Sequence, residues 1–149
     1  MQLTTSTAVL ITTLLALPAY AKMGAKPTFD VTKFKFCATD SGNSVKYSFD
    51  VSATAAGTAK KGVPAFTASC TGGPDLYTVY NCTSDTAGVT VQSLLDPPSS
   101  GSGPYELEVV AQHGKCGDGA YFTAQSNCGG KMVSLGSSTG FLQCGKQGS

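Results

Sequence analysis

The 149-residue chain carries ten lysines, no arginine and nine acidic residues, for a net charge of +1, with 18 glycines, six cysteines and no tryptophan. Without arginine it lacks the planar fork favoured for bidentate phosphate and carboxylate recognition. No basic run exceeds Lys60-Lys61, so neither nucleic acid nor an anionic membrane is an expected partner.

Residues 1–21 read as a signal peptide. Val9 to Leu17 is an apolar core, and Pro18 with Ala19-Tyr20-Ala21 makes a small-x-small cleavage pattern before Lys22. The apolar run is shorter than the roughly 20 residues needed to span a bilayer. A secreted, extracellular protein is therefore expected, with residues 22–149 as one all-β domain long enough to bury a core.

Strand periodicity dominates that domain. Phe29-Asp-Val31 alternates in one phase and Phe34-Lys-Phe36 in the other, so a bulge or break is expected at Thr32-Lys33. Asp40 to Asn43 turns the chain. Val45 to Ala53 then alternates apolar and polar without a fault, as a strand with one packed and one wet face does. Thr54 to Gly62 is a small-residue loop, Phe66 to Cys70 a strand, and Leu76 to Cys82 another. Ser84 to Gly88 turns into a strand from Val89 to Leu95. Asp96 to Pro104 has the Pro-Gly-Ser composition of an exposed loop. Tyr105 to Ala111 is half-buried, Lys131 to Leu135 is a further strand, and Gly136 to Gly140 is a turn before Phe141 to Cys144. Eight or nine short strands with turns every 8–12 residues predict a single disulfide-stabilised antiparallel β-barrel or sandwich.

An even number of cysteines (37, 70, 82, 116, 128, 144) in a secreted chain implies disulfides, and six allow fifteen connectivities. Cys70 to Cys82 and Cys116 to Cys128 each enclose eleven residues, open on glycine and close on Asn-Cys. A glycine turn followed by a short aromatic strand can return the second cysteine to the first, so the expected bridges are Cys70–Cys82 and Cys116–Cys128. That leaves Cys37 for Cys144. The alternative is a homodimer linked through Cys37 of two chains.

The candidate chemistry is sparse. Glu106 and Glu108 lie two apart on one strand and share a face, whereas glycoside hydrolysis needs two carboxyl groups opposed across a cleft. His113 is the only histidine. With the thiols oxidised it cannot complete a four-ligand zinc site, and no Gly-x-Ser-x-Gly elbow accompanies it. No catalytic residue, metal or cofactor is expected. Asn81-Cys82-Thr83 is a glycosylation sequon. Tyr77, Tyr80, Tyr121 and Phe122 either pack the core or form a recognition surface on stiffened loops.

Val31-Thr-Lys-Phe34, Phe66-Thr-Ala-Ser-Cys70 with Tyr80-Asn-Cys82, and the Gly-rich stretch from Cys116 to Cys128 together resemble the Alternaria major-allergen-like family of small secreted fungal β-barrel proteins. The chain departs from that pattern in lacking tryptophan and in adding Cys144. The resemblance implies a non-catalytic effector or elicitor that acts in the host apoplast or at the host cell surface by binding a defence component, a host extracellular protein or receptor. A module for a cell-wall glycan or a small apolar ligand is the alternative, and a small hydrolase or protease inhibitor a second one.

Overall fold

The computed structural model describes residues 26–38 and 44–145. The expected signal peptide, the turn at residues 40–43 and the last four residues lie outside the described residues. The described chain is all β, with twelve strands and no helix: β1 (Thr28–Ala38), β2 (Val45–Ala53), β3 (Ala56–Gly57), β4 (Gly62–Val63), β5 (Phe66–Gly72), β6 (Tyr80–Asn81), β7 (Thr83–Ser84), β8 (Thr90–Asp96), β9 (Tyr105–His113), β10 (Cys116–Ala124), β11 (Gly136–Thr139) and β12 (Phe141–Cys144).

They form two five-stranded antiparallel sheets and a small hairpin. Sheet I runs β11-β1-β2-β5-β7, sheet II runs β12-β10-β9-β8-β6, and β3 pairs with β4. There is no closed barrel. The alternation of each long strand points its apolar residues between the sheets, where Phe29, Phe34, Phe36 and Phe49 of sheet I meet Val91, Leu107, Val109 and Phe122 of sheet II in one core. The Tyr47 and Ser93 hydroxyls hydrogen-bond across it at 3.1 Å, which satisfies the polar atoms that this β2–β8 contact buries.

The phase change in β1 is a bulge, as its pattern predicts. Pairing with β2 shifts between Thr32 and Lys35, and Lys33 takes φ 52°. The extra residue turns Phe34 and Phe36 to the same side as Phe29 and Val31, so all four are buried. Lys33 pairs with Asp50 at 3.1 Å, but both side chains are exposed, so the ion pair contributes under about 1 kcal/mol. A left-handed backbone disfavours branched side chains most. We expect Lys33→Val to lower stability by about 1–2 kcal/mol while Lys33→Gly stays within about 1 kcal/mol of the parent, as urea midpoints would show.

Several expectations are corrected. Twelve strands replace eight or nine because two-residue strands form where loop or turn chemistry dominates the sequence. Leu76 to Cys82 contributes only β6. The Gly-Ser-Ser-Thr stretch expected to turn is β11, paired along the edge of β1 from Thr28 to Val31. Lys131 to Leu135 makes a single bridge, Phe34 to Val133. Edge pairing uses backbone groups, so a small polar sequence suffices where the neighbouring strand presents a free edge.

The disulfides are Cys37–Cys128, Cys70–Cys82 and Cys116–Cys144. The first local clip forms as expected; the second does not. Gly117 and Gly119 do not turn the chain, because β10 pairs with β9 continuously from Cys116 to Ala124. Nine extended residues at about 3.3 Å each carry Ala124 some 25 Å from Cys116, too far for the four residues that follow to bring Cys128 back to it. Cys116 instead lies opposite Cys144 in the β10–β12 register. Cys37 is bridged within the chain by Cys128, so it neither reaches Cys144 nor links two copies.

Both borders of the sandwich are made by a segment that changes sheets within one residue. On one side β6 belongs to sheet II and β7 to sheet I, with Cys82 between them. Its N–H donates to Val91 O at 2.9 Å and its sulfur bridges to Cys70. On the other side β11 belongs to sheet I and β12 to sheet II, with Gly140 between them. A Cβ at Gly140 would stand 2.5 Å from the Gly119 carbonyl oxygen, so only glycine fits that corner.

Candidate binding surfaces

The outer face of sheet II carries the exposed side chains of Val79, Tyr121 and Phe141, whereas exposed Tyr77 lies on the clipped loop and exposed Met132 and Val133 lie against sheet I. Register places the sheet II residues in two rows. One runs Asn81, Gln92, Val110, Gly119 and Phe141 across all five strands; the other runs Leu94, Glu108 and Tyr121. Gly119 lets the Phe141 ring lie over β10, since a Cβ there would meet that ring at 3.0 Å. Phe141 and Tyr121 stay 39% and 48% exposed, with centroids 6.3 Å apart and planes tilted by 31°. Val79, 54% exposed, borders a hollow of about 110 Å³ with Leu94, Val110 and Glu108.

Polar groups border the rings. The Tyr121 hydroxyl points to Glu108 Oε1 at 3.5 Å. The Glu108 charge, then burial and Glu106, push the Tyr121 pKa above its ordinary value. Gln92 Nε2 donates to Asn81 Oδ1 at 2.9 Å. Glu106 and Glu108 lie side by side on β9, the same-face placement that alternation predicts.

The four aromatic candidates separate. Tyr121 faces outward and Phe122, 5% exposed, faces the core, because neighbours on a strand take opposite faces. Phe122 is therefore not a surface ring. Tyr80 is half-buried and organises the loop before it: its hydroxyl accepts from the Asp75 N–H at 3.0 Å and lies 3.2 Å from the Asp75 carbonyl. Its ring meets Tyr47 edge-on at 6.1 Å. That loop, clipped by Cys70–Cys82, presents Tyr77 at 72% exposure with φ 59°. A bulky residue held in the left-handed region on an exposed, cross-linked loop is a feature that concentrates at functional sites.

The other candidates have separate places. Asn81 is exposed on β6, and Cys82 beside it is bridged to Cys70, so the sequon sits on the sheet II face. His113 Nδ1 donates to Gly62 O at 3.2 Å, tying the β3–β4 hairpin to β9. The barrel lumen expected for an apolar ligand is replaced by packed side chains. A hollow of about 620 Å³ lies outside sheet I, among Lys35, Lys46, Tyr47, Thr71 and Pro74. On the same outer face, Asp50 accepts from Ser69 at 2.8 Å and Asp85 from Thr67. Among the described residues no group of three or more His, Cys, Asp and Glu side chains is placed to hold a metal ion, and no helix is long and apolar enough to cross a membrane.

Phe141 is the surface residue that sequence reasoning missed. Its signal was the glycine at 119, which allows a ring from the next strand to lie flat on β10. The chain matches no protein-family model, no curated protein and no solved structure.

Proposed function

We propose that the protein is a secreted, non-catalytic recognition module of the effector or elicitor kind, holding a host extracellular protein on the outer face of sheet II. The observation that carries this reading is the outward patch of exposed Val79, Tyr121 and Phe141 with half-buried Leu94 and Val110 between them. Contiguous apolar surface with a polar rim is characteristic of protein contact sites, where tyrosine rings are enriched. A paired sheet with three cross-links loses little freedom on binding. Three disulfides in so small a chain accord with an extracellular location, and the resemblance to the Alternaria allergen-like group points the same way.

Infiltration of the oxidised mature protein into leaf tissue tests the reading, with a reduced and alkylated sample and the double variant Tyr121→Ala/Phe141→Ala alongside. Cell death or a defence response is expected from the oxidised parent alone, with the variant folded by circular dichroism and at least tenfold less active. An undiminished response to the variant would remove sheet II from the reading. A response to the alkylated chain would mean that a linear segment is recognised.

A second reading, a cell-wall glycan on the same face, is favoured by one arrangement. The Tyr121 ring stands beside the carboxylate of Glu108 and near the Phe141 ring, and the amides of Gln92 and Asn81 lie farther along the same face, so a glycan of several sugars could stack on the rings and bond the polar groups. Saturable quenching of tyrosine fluorescence by a soluble oligosaccharide, absent in the double variant, would select it.

A further inference from the structure

Three lysines and the histidine, from two segments distant in sequence, meet at one end of the sandwich. Lys60 and Lys61 lie in the bend between β3 and β4, His113 closes β9, and Lys115 sits in the β9–β10 turn. They border one hollow of about 300 Å³, together with Gly114 and Gly145, and no acidic residue lines it. Among the described residues the ion pair is Lys33–Asp50, so Lys60, Lys61 and Lys115 carry no bound counter-charge.

The frame around these side chains is tied down. The β3–β4 tip is closed by Thr58 N–H to Lys61 O and by Lys61 N–H to the Thr58 hydroxyl, both at 3.1 Å. His113 holds that hairpin through Gly62 O. Gly145 N–H donates to Lys115 O at 2.8 Å beside the Cys116–Cys144 bridge. Three lysines and a histidine from segments some fifty residues apart thus border one hollow.

We propose that this hollow is an oxyanion site for the carboxylate or sulfate groups of an acidic extracellular polysaccharide. Its three cations are solvent-exposed lysines, and an exposed charge pair contributes little by itself. A single small anion would therefore bind weakly, whereas a polymer presenting many charges gains by repeated engagement. The all-lysine composition supports point-charge attraction to such a chain rather than bidentate phosphate recognition.

The test uses the purified, oxidised mature protein on immobilised polygalacturonate, with inorganic sulfate and duplex DNA as comparison probes. Retention at low salt is expected, falling steeply near physiological ionic strength as charges beyond about 8 Å are screened. Lys60→Ala/Lys61→Ala should weaken it about tenfold, and Lys115→Ala should weaken it in the same direction. Lys131→Ala, an exposed lysine outside the hollow, should not. Because His113 is the only histidine, its imidazole resonance reports the site alone, and it should shift on adding soluble polygalacturonate. No retention, equal loss in Lys131→Ala, or a silent His113 would each overturn the proposal. Sulfate reproducing the shift at millimolar concentration would reassign the hollow to a free oxyanion, and equal retention on DNA would overturn the polysaccharide assignment.

Discussion

At pH 7 Asp118 is expected to make the fold about 3 kcal/mol less stable than at pH 4, and Asp118→Asn is expected to abolish that loss. Asp118 is fully buried on β10, opposite Ala111 of β9 and Leu142 of β12. Neither carboxyl oxygen has a hydrogen-bond partner. Burial pushes its pKa from 3.8 up to about 7, against a smaller lowering from its own backbone N–H. Of the strands packed against β10, neither β4, β11 nor β12 carries an ionisable side chain. Glu106, Glu108 and His113 of β9 and Asp30, Lys33 and Lys35 of β1 supply no counter-charge that moves it.

The sign follows from proton counting. Well below pH 4 the carboxyl is neutral in both states. Between about pH 4 and 7 the unfolded chain releases the proton while the folded one retains it, so stability falls as pH rises, and it levels off above 7. Each unit between the two pKa values is worth about 1.4 kcal/mol. Asp50, held low by Ser69 and Lys33, and Asp85, held low by Thr67 and Thr86, act in the opposite sense at acid pH. The decisive quantity is therefore the difference between parent and Asp118→Asn in urea midpoints from pH 4 to 8. Parallel curves would show that the folded carboxyl titrates normally.

Removing the Cys37–Cys128 bridge with Cys37→Ser/Cys128→Ser is expected to cost the most of the three disulfides, about 4–5 kcal/mol against about 3 for Cys70–Cys82. The ranking rests on sequence separations of 91 and 12 residues, with Cys116–Cys144 between them at 28. The bridge also anchors a segment that borders β1: the Ala38 N–H donates to the Ser126 hydroxyl at 2.9 Å and the Asn127 N–H to Phe36 O at 2.7 Å. Urea midpoints of the double variants measure the order. A nonreduced digest should yield Cys37 linked to Cys128, and a Cys37–Cys144 fragment would contradict the pairing.

Features decided by local pattern were legible in the sequence. The bulge at Lys33 follows from two apolar phases in eleven residues, β2 from unbroken alternation, and Cys70–Cys82 from a short loop whose ends return to each other. Features decided by where long strands finish were not. Cys116 and Cys128 have the spacing of a clip, but Cys116 to Ala124 pairs with β9 in extended form. Tyr121 and Phe122 are both aromatic, so neither hydropathy nor propensity tells which faces the core; the register of β10 does. The same register carries Asp118 inward among Cys116, Ala120 and Phe122, where polarity alone would have turned it to water. The basic hollow also depends on topology, because nothing local joins Lys60-Lys61 to Lys115.

The one-residue crossings at Cys82 and Gly140 bear on self-association. They leave each sheet bounded by strands of only two or four residues, β7 and β11 for sheet I and β6 and β12 for sheet II. A neighbouring chain seeking to pair with one of these outer strands would find only two to four residues before the template bends away into the opposite layer. Short, deflected edges of this kind discourage strand addition and fibril growth, so encounters between molecules are left to side chains on the broad faces.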